Sequence, residues 1–137
     1  MSRPLLAHEE HGEVVGTWRA LGYRDQTVVC FDRHLDLKPL DEAAARRIAG
    51  ARDVQALRGL NRPLPLREAP GAFGLDDFFA AGPVLGAVRA LWWVMPGRWP
   101  DGRARVRAAV DAVARLPLEP DALAATHVED GVLHTRV

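Results

Sequence analysis

The sequence predicts a single α/β domain over residues 1–137, a mainly parallel sheet with helices on both faces in the manner of a three-layer sandwich. Three observations predict it. Segments with a helical apolar period alternate with short apolar runs. Two of those runs, Thr27 to Asp32 and Leu91 to Met95, are continuous in β-branched, aromatic and aliphatic residues, as in strands covered on both faces. A chain of 137 residues that is 48% hydrophobic and 26% charged suits one compact core.

The elements follow in order. From Glu9 to Leu21, Val14, Val15, Trp18 and Leu21 repeat with a helical period, and Gly22 stops the helix. Thr27 to Asp32 reads as the central parallel strand. Asp41 caps a long Ala/Arg helix through about Leu57, and the proline- and glycine-rich stretch from Asn61 to Gly74 is loop. Asp76 or Asp77 starts a further helix to about Arg89, in which Pro83 fits only in the first turn or at a kink. Leu91 to Met95 is the second buried strand, stopped by Pro96-Gly97. Asp101 caps a helix through Leu116 with Val106, Val110 and Val113 on its inner stripe, and a short helical turn follows Asp121. Val132 to Val137 reads as a terminal strand with an unpaired edge, which predicts a homo-oligomer formed by strand addition.

Charge and composition exclude several classes of function. Lys+Arg and Asp+Glu number 18 each, so broad electrostatic capture of nucleic acid or of an anionic membrane is not expected. The longest apolar run falls far short of a bilayer span, and Met1 to Glu10 lacks the apolar centre of a signal peptide, so a cytoplasmic protein is expected. The lone Cys30 can form no intramolecular disulfide, and without a cationic neighbour it reads as a structural thiol. His8 and His11 stand three apart, where a zinc protease helix needs four. His127 and His134 read as surface positions near a hairpin.

Parallel sheets place their chemistry at the carboxyl ends of strands, so Asp32-Arg33-His34-Leu35-Asp36 draws the attention. In an extended segment Asp32, His34 and Asp36 project to one side. Two carboxylates so close repel unless a cation or a proton lies between them, and a carboxylate–imidazole set without thiolate suits Mn²⁺, Fe²⁺ or Zn²⁺. The other reading of the same residues is a solvated loop in which Arg33 and Lys38 offset the acids.

The stretch Glu9 to Trp18 (EEHGEVVGTW), followed by Val28 to Leu37 (VVCFDRHLDL), resembles the N-terminal half of the arginase-like ureohydrolases. It is most similar to the little-characterised bacterial and eukaryotic family that includes the peptide arginases. Such proteins carry a histidine at the start of a helix and then a strand ending in Asp-x-His-x-Asp. A second stretch, Leu75-Asp76-Asp77-Phe78-Phe79 through Gly86 to Leu91-Trp92-Trp93-Val94-Met95-Pro96, also resembles that family, whose members have an Asp-Asn-Phe-like element, a helix and a strand ending Trp-Val-x-Pro. The resemblance spans about residues 8 to 97.

It implies a binuclear Mn²⁺ site in which His11 and Asp36 bind one ion, His34 binds the other and Asp32 bridges both. Asp32 and His34 are the implied catalytic residues. Two such ions about 3.5–4 Å apart acidify a bridging water into a hydroxide able to attack a guanidinium carbon. The implied reaction turns the arginine side chain of a peptide or protein substrate into ornithine, with release of urea.

Ureohydrolases supply a further Asp-x-Asp pair from a later strand, and nothing after Asp36 has that form. Asp76 and Asp77 are additional candidates, although adjacent carboxylates point to opposite sides of an extended chain. Two aspartates leave two divalent ions unbalanced, and a dry site so charged is unstable. The chain therefore reads as a short member or fragment holding half of the site. The alternative is a non-catalytic domain that keeps the fold for metal binding or for contact with a protein partner.

Overall fold

The computed structural model of the chain describes residues 5–32, 34–62, 70–94, 104, 107–108, 110–111, 127–129 and 132–136. They form α1 (Glu13–Ala20), β1 (Gln26–Phe31), α2 (Glu42–Gly50), α3 (Val54–Arg58), α4 (Phe78–Val84), β2 (Val88–Val94), β3 (His127–Glu129) and β4 (Val132–Arg136). The fold is mixed α/β. No helix among the described residues is long and apolar enough to cross a membrane.

The helices start and stop for local reasons. Asp41 caps α2 by accepting from Ala44 N at 2.6 Å, and Asp53 caps α3 by accepting from Ala56 N at 2.8 Å. The single Ala/Arg helix expected through Leu57 is thus two helices, because Asp53 offers a second start just after Gly50. α1 ends as anticipated at Gly22, whose φ of 64° is the left-handed conformation that glycine adopts without strain. Tyr23 N donates to Trp18 O at 3.0 Å and Gly22 N to Arg19 O at 3.1 Å, which satisfies the last carbonyls. α4 ends in the same way at Gly86, φ 62°, with Ala87 N donating to Gly82 O. This stop shortens the helix expected to run to Arg89, and Pro83 falls within its last turn. The helix expected from Asp101 to Leu116 falls mostly outside the described residues; positions 104, 107–108 and 110–111 are helical, and Val110 packs on the core. Pro96-Gly97 and the turn after Asp121 lie outside them too.

The sheet order is β1-β2-β4-β3. β1 and β2 are parallel, whereas β4 runs antiparallel to both β2 and β3. Among the described residues the sheet is therefore mixed instead of mainly parallel, and β1 lies at its edge instead of its centre. The terminal strand is not an unpaired edge: β4 is bonded on both sides, which removes the argument for dimerisation through it.

The register sorts the two faces of the sheet. Val28 pairs with Leu91 and Cys30 with Trp93, and these side chains face the core formed by Val15, Trp18, Phe78 and Phe79. Val29 pairs with Trp92 on the other face, where Val29, Phe31 and Trp92 are 47%, 74% and 44% exposed. Neither strand is thus covered on both faces by described residues. Gly82 brings α4 onto the sheet: a Cβ there would stand 2.6 Å from Val88 Cγ2 and 3.2 Å from Trp18 Cζ3.

Candidate metal centre

β1 carries the chain to Asp32 at its carboxyl end, and α1 begins just after His11. Parallel pairing fixes the strand end: Trp93 Nε1 on β2 donates to Asp32 O at 2.8 Å. The Asp32 carboxylate then folds the chain over itself, with His34 N donating to Oδ1 at 2.9 Å. Asp36 has a φ of 50°, a left-handed conformation that aspartate tolerates better than most residues. The segment is therefore turned, and the simple alternation expected of an extended chain does not hold.

The turn still brings acids together with the histidine upstream. His11 Nδ1 lies 3.1 Å from Asp36 Oδ2 and 3.9 Å from Asp32 Oδ2. One ligand atom each from His11, Asp32 and Asp36 lies within 4.8 Å of the others. The His11 ring is held edge-on against Phe78 at 5.6 Å, and Phe78 packs against Phe79 as a tilted pair at 4.2 Å, so the core orients the imidazole. His34 does not belong to this group. Its Nδ1 stands 3.8 Å from Asp32 Oδ1 and its side chain is 69% exposed.

Burial pushes the Asp36 carboxyl above its ordinary value; the His11 hydrogen bond acts the other way, and the charge of Asp32 adds to the rise. Cys30, one residue pair back along β1, has its thiol pushed up to about 12 by burial and then by Asp32 and Asp36. It is the inert thiol expected. Among the described residues, no lysine or arginine pairs with Asp32 or Asp36. Of the two cations that could offset them, Lys38 is paired with Asp76 at 2.6 Å and Arg33 lies outside the described residues.

Asp76 and Asp77 are engaged elsewhere. Asp76 binds Lys38, whose backbone N–H also donates to Asp76 O at 3.1 Å. Asp77 is buried, accepts from Gly74 N at 2.6 Å and pairs with Arg62. Neither joins the group at His11. The stacked rings of His127 and His134, 4.8 Å apart on the β3–β4 hairpin, are also separate from it.

Sequence reasoning did not find the supporting roles of Phe78 and Trp93. Trp93 reads from the sequence as part of a buried strand and Phe78 as part of the Leu75–Phe79 stretch of resemblance; their contacts with Asp32 and His11 depend on pairing between distant segments. One imidazole nitrogen and two carboxylate oxygens, with no thiolate, form a donor set that fits a hard or borderline divalent ion such as Mn²⁺. Comparison of the chain with protein families, with curated proteins and with solved structures finds no match.

Proposed function

We propose that His11, Asp32 and Asp36 bind a divalent cation, Mn²⁺ by the chemistry of the donors, as part of a ureohydrolase-like site acting on arginine side chains of a peptide or protein. The observation that carries this reading is the gathering of three ligand atoms within 4.8 Å although the repulsion of the two carboxylates opposes it. A cation at that point would remove the repulsion. A bound divalent ion supplies, near neutral pH, a water acidic enough to serve as nucleophile.

The chain's own residues divide the remaining work. Asp32 and Asp36 provide the negative charge, and His11 provides a nitrogen held in place by Phe78. His34, exposed beside Asp32, would be free to take a second ion or to meet substrate. Helices over the sheet face of Val29, Phe31 and Trp92 would complete a three-layer sandwich. An intracellular, cytoplasmic setting accords with an arginine-modifying hydrolase and with the single cysteine.

A non-catalytic metal-binding or protein-interaction domain is the second reading. It is favoured by the engagement of Asp76 and Asp77 with Lys38 and Arg62, which leaves two carboxylates at the candidate centre. Calorimetric titration with Mn²⁺ separates binding from catalysis. The wild-type chain should bind one ion, and Asp32→Asn should weaken binding about tenfold or more. Indistinguishable weak binding by both would remove the metal from the account. The 137-residue chain should release no more than trace urea from arginine or arginine peptides with Mn²⁺ in excess, because the charge for a second ion is lacking. Robust release abolished by Asp32→Asn would show instead that further carboxylates, or a second copy of the chain, complete the site.

A further inference from the structure

A second feature lies on the other side of the start of α1. A cavity of about 290 Å³ opens between α1 and α3 and is lined by Gly12, Glu13, Gly16, Arg58, Asn61 and Phe73, among others. Gly12 and Gly16 are one helical turn apart, so they present backbone on one face of α1. The side chains of Asn61 and Arg58 lie in the space this leaves. A Cβ on Gly12 would stand 2.1 Å from Asn61 Oδ1, and one on Gly16 would stand 3.3 Å from Arg58 Cγ. The glycines thus seat two polar side chains against the helix.

Among the described residues, neither the Arg58 guanidinium nor the Asn61 amide makes a hydrogen bond or ion pair. Glu13 on the same lining is answered in part: His8 Nδ1 lies 3.5 Å from its Oε2, and Glu9 N donates to that oxygen at 3.2 Å. The open hydrogen-bonding capacity of the cavity is therefore mostly that of donors, on a planar fork and an amide. The geometry points to a binding site for a small monocarboxylate, its two oxygens on Arg58 and Asn61 and its apolar body toward Phe73.

Size and charge select this class. A volume of about 290 Å³ holds the equivalent of about ten waters, enough for a short aliphatic or single-ring acid. A guanidinium fork matches a two-oxygen planar anion in bidentate geometry. Glu13 on the same lining repels a phosphate dianion about twice as strongly as a monocarboxylate, which disfavours the dianion. The site is independent of the metal reading, because none of its ligand-facing groups is His11, Asp32 or Asp36.

NMR titration of the full chain with propionate, benzoate and inorganic phosphate tests it. At least one of the two carboxylates should give saturable shifts, in the millimolar range, centred on the amides of Gly12, Gly16, Arg58 and Asn61. Phosphate should bind more weakly. Arg58→Gln should weaken carboxylate binding about tenfold or more, the loss of one charge-assisted pair, with the rest of the spectrum unchanged. Asn61→Ala is the second variant, with a smaller loss, and decides the matter should Arg58→Gln not fold. The proposal is overturned by the absence of saturable shifts with both carboxylates, by tighter binding of phosphate, or by variants that bind as the wild type does.

Discussion

Two pairs of aspartates lie in this molecule, and their surroundings are opposite. Asp76 and Asp77 are each answered by a cation, Lys38 and Arg62, and Asp77 also holds the backbone of Gly74. Asp32 and Asp36 face a histidine and, among the described residues, no lysine or arginine. The first pair fastens the loop before α4 to its surroundings. The second holds its charge in a partly buried place with Asp36 pushed toward protonation. Residue type alone does not separate a fastener from a ligand set; the compensating charge does.

The largest effect should come from breaking the fastener. Asp77→Ala leaves the Arg62 guanidinium and the Gly74 N–H without their acceptor, and should destabilise the fold by about 2–4 kcal/mol in urea unfolding. A loss below about 1 kcal/mol would place Asp77 outside the structural role assigned to it here.

The second pair should respond in the opposite sense. The folded-state pKa of Asp36 is raised, so the native chain binds a proton that the unfolded chain releases at lower pH. The stability this gives the metal-free chain is present below the unfolded pKa and is lost as pH rises through the folded one. Asp36→Asn, which keeps the left-handed backbone accessible, should flatten that slope in pH-dependent unfolding. A wild-type slope of the other sign, or an unaltered slope in the variant, would break the contrast.

The Lys38–Asp76 pair is largely exposed on the lysine side, and Lys38→Ala should cost about 0–1 kcal/mol. The smallest effect concerns Cys30. With its thiol pushed up to about 12, the native chain should react with iodoacetamide at pH 8 far more slowly than the unfolded chain, and Asp32→Asn should quicken it modestly. Equal rates in native and unfolded chains would contradict the burial seen at β1.

What was legible in the sequence was local. The apolar run from Thr27 gave β1, Gly22 gave the stop of α1, and Asp41 gave the start of α2. Asp53 and Gly86 carry start and stop signals of equal quality, and they divide or end the longer helical periods that run past them. The position of β1 at the edge and of β4 between β2 and β3 could not be read, since strand order depends on pairings between distant segments. At the candidate centre, the residue types and the 21-position gap from His11 to Asp32 were visible in the chain. Their meeting depends on a left-handed Asp36 and on Phe78 behind His11, neither of which a spacing rule contains.

The most direct test of the contrast is the metal content of purified protein. The chain would be prepared with Mn²⁺ present, freed of excess ion and assayed by elemental analysis, with Asp36→Asn and Asp76→Asn treated in parallel. The account predicts close to one bound ion in the wild type and in Asp76→Asn, and almost none in Asp36→Asn. Equal metal in all three, or loss with Asp76→Asn and retention with Asp36→Asn, would contradict it.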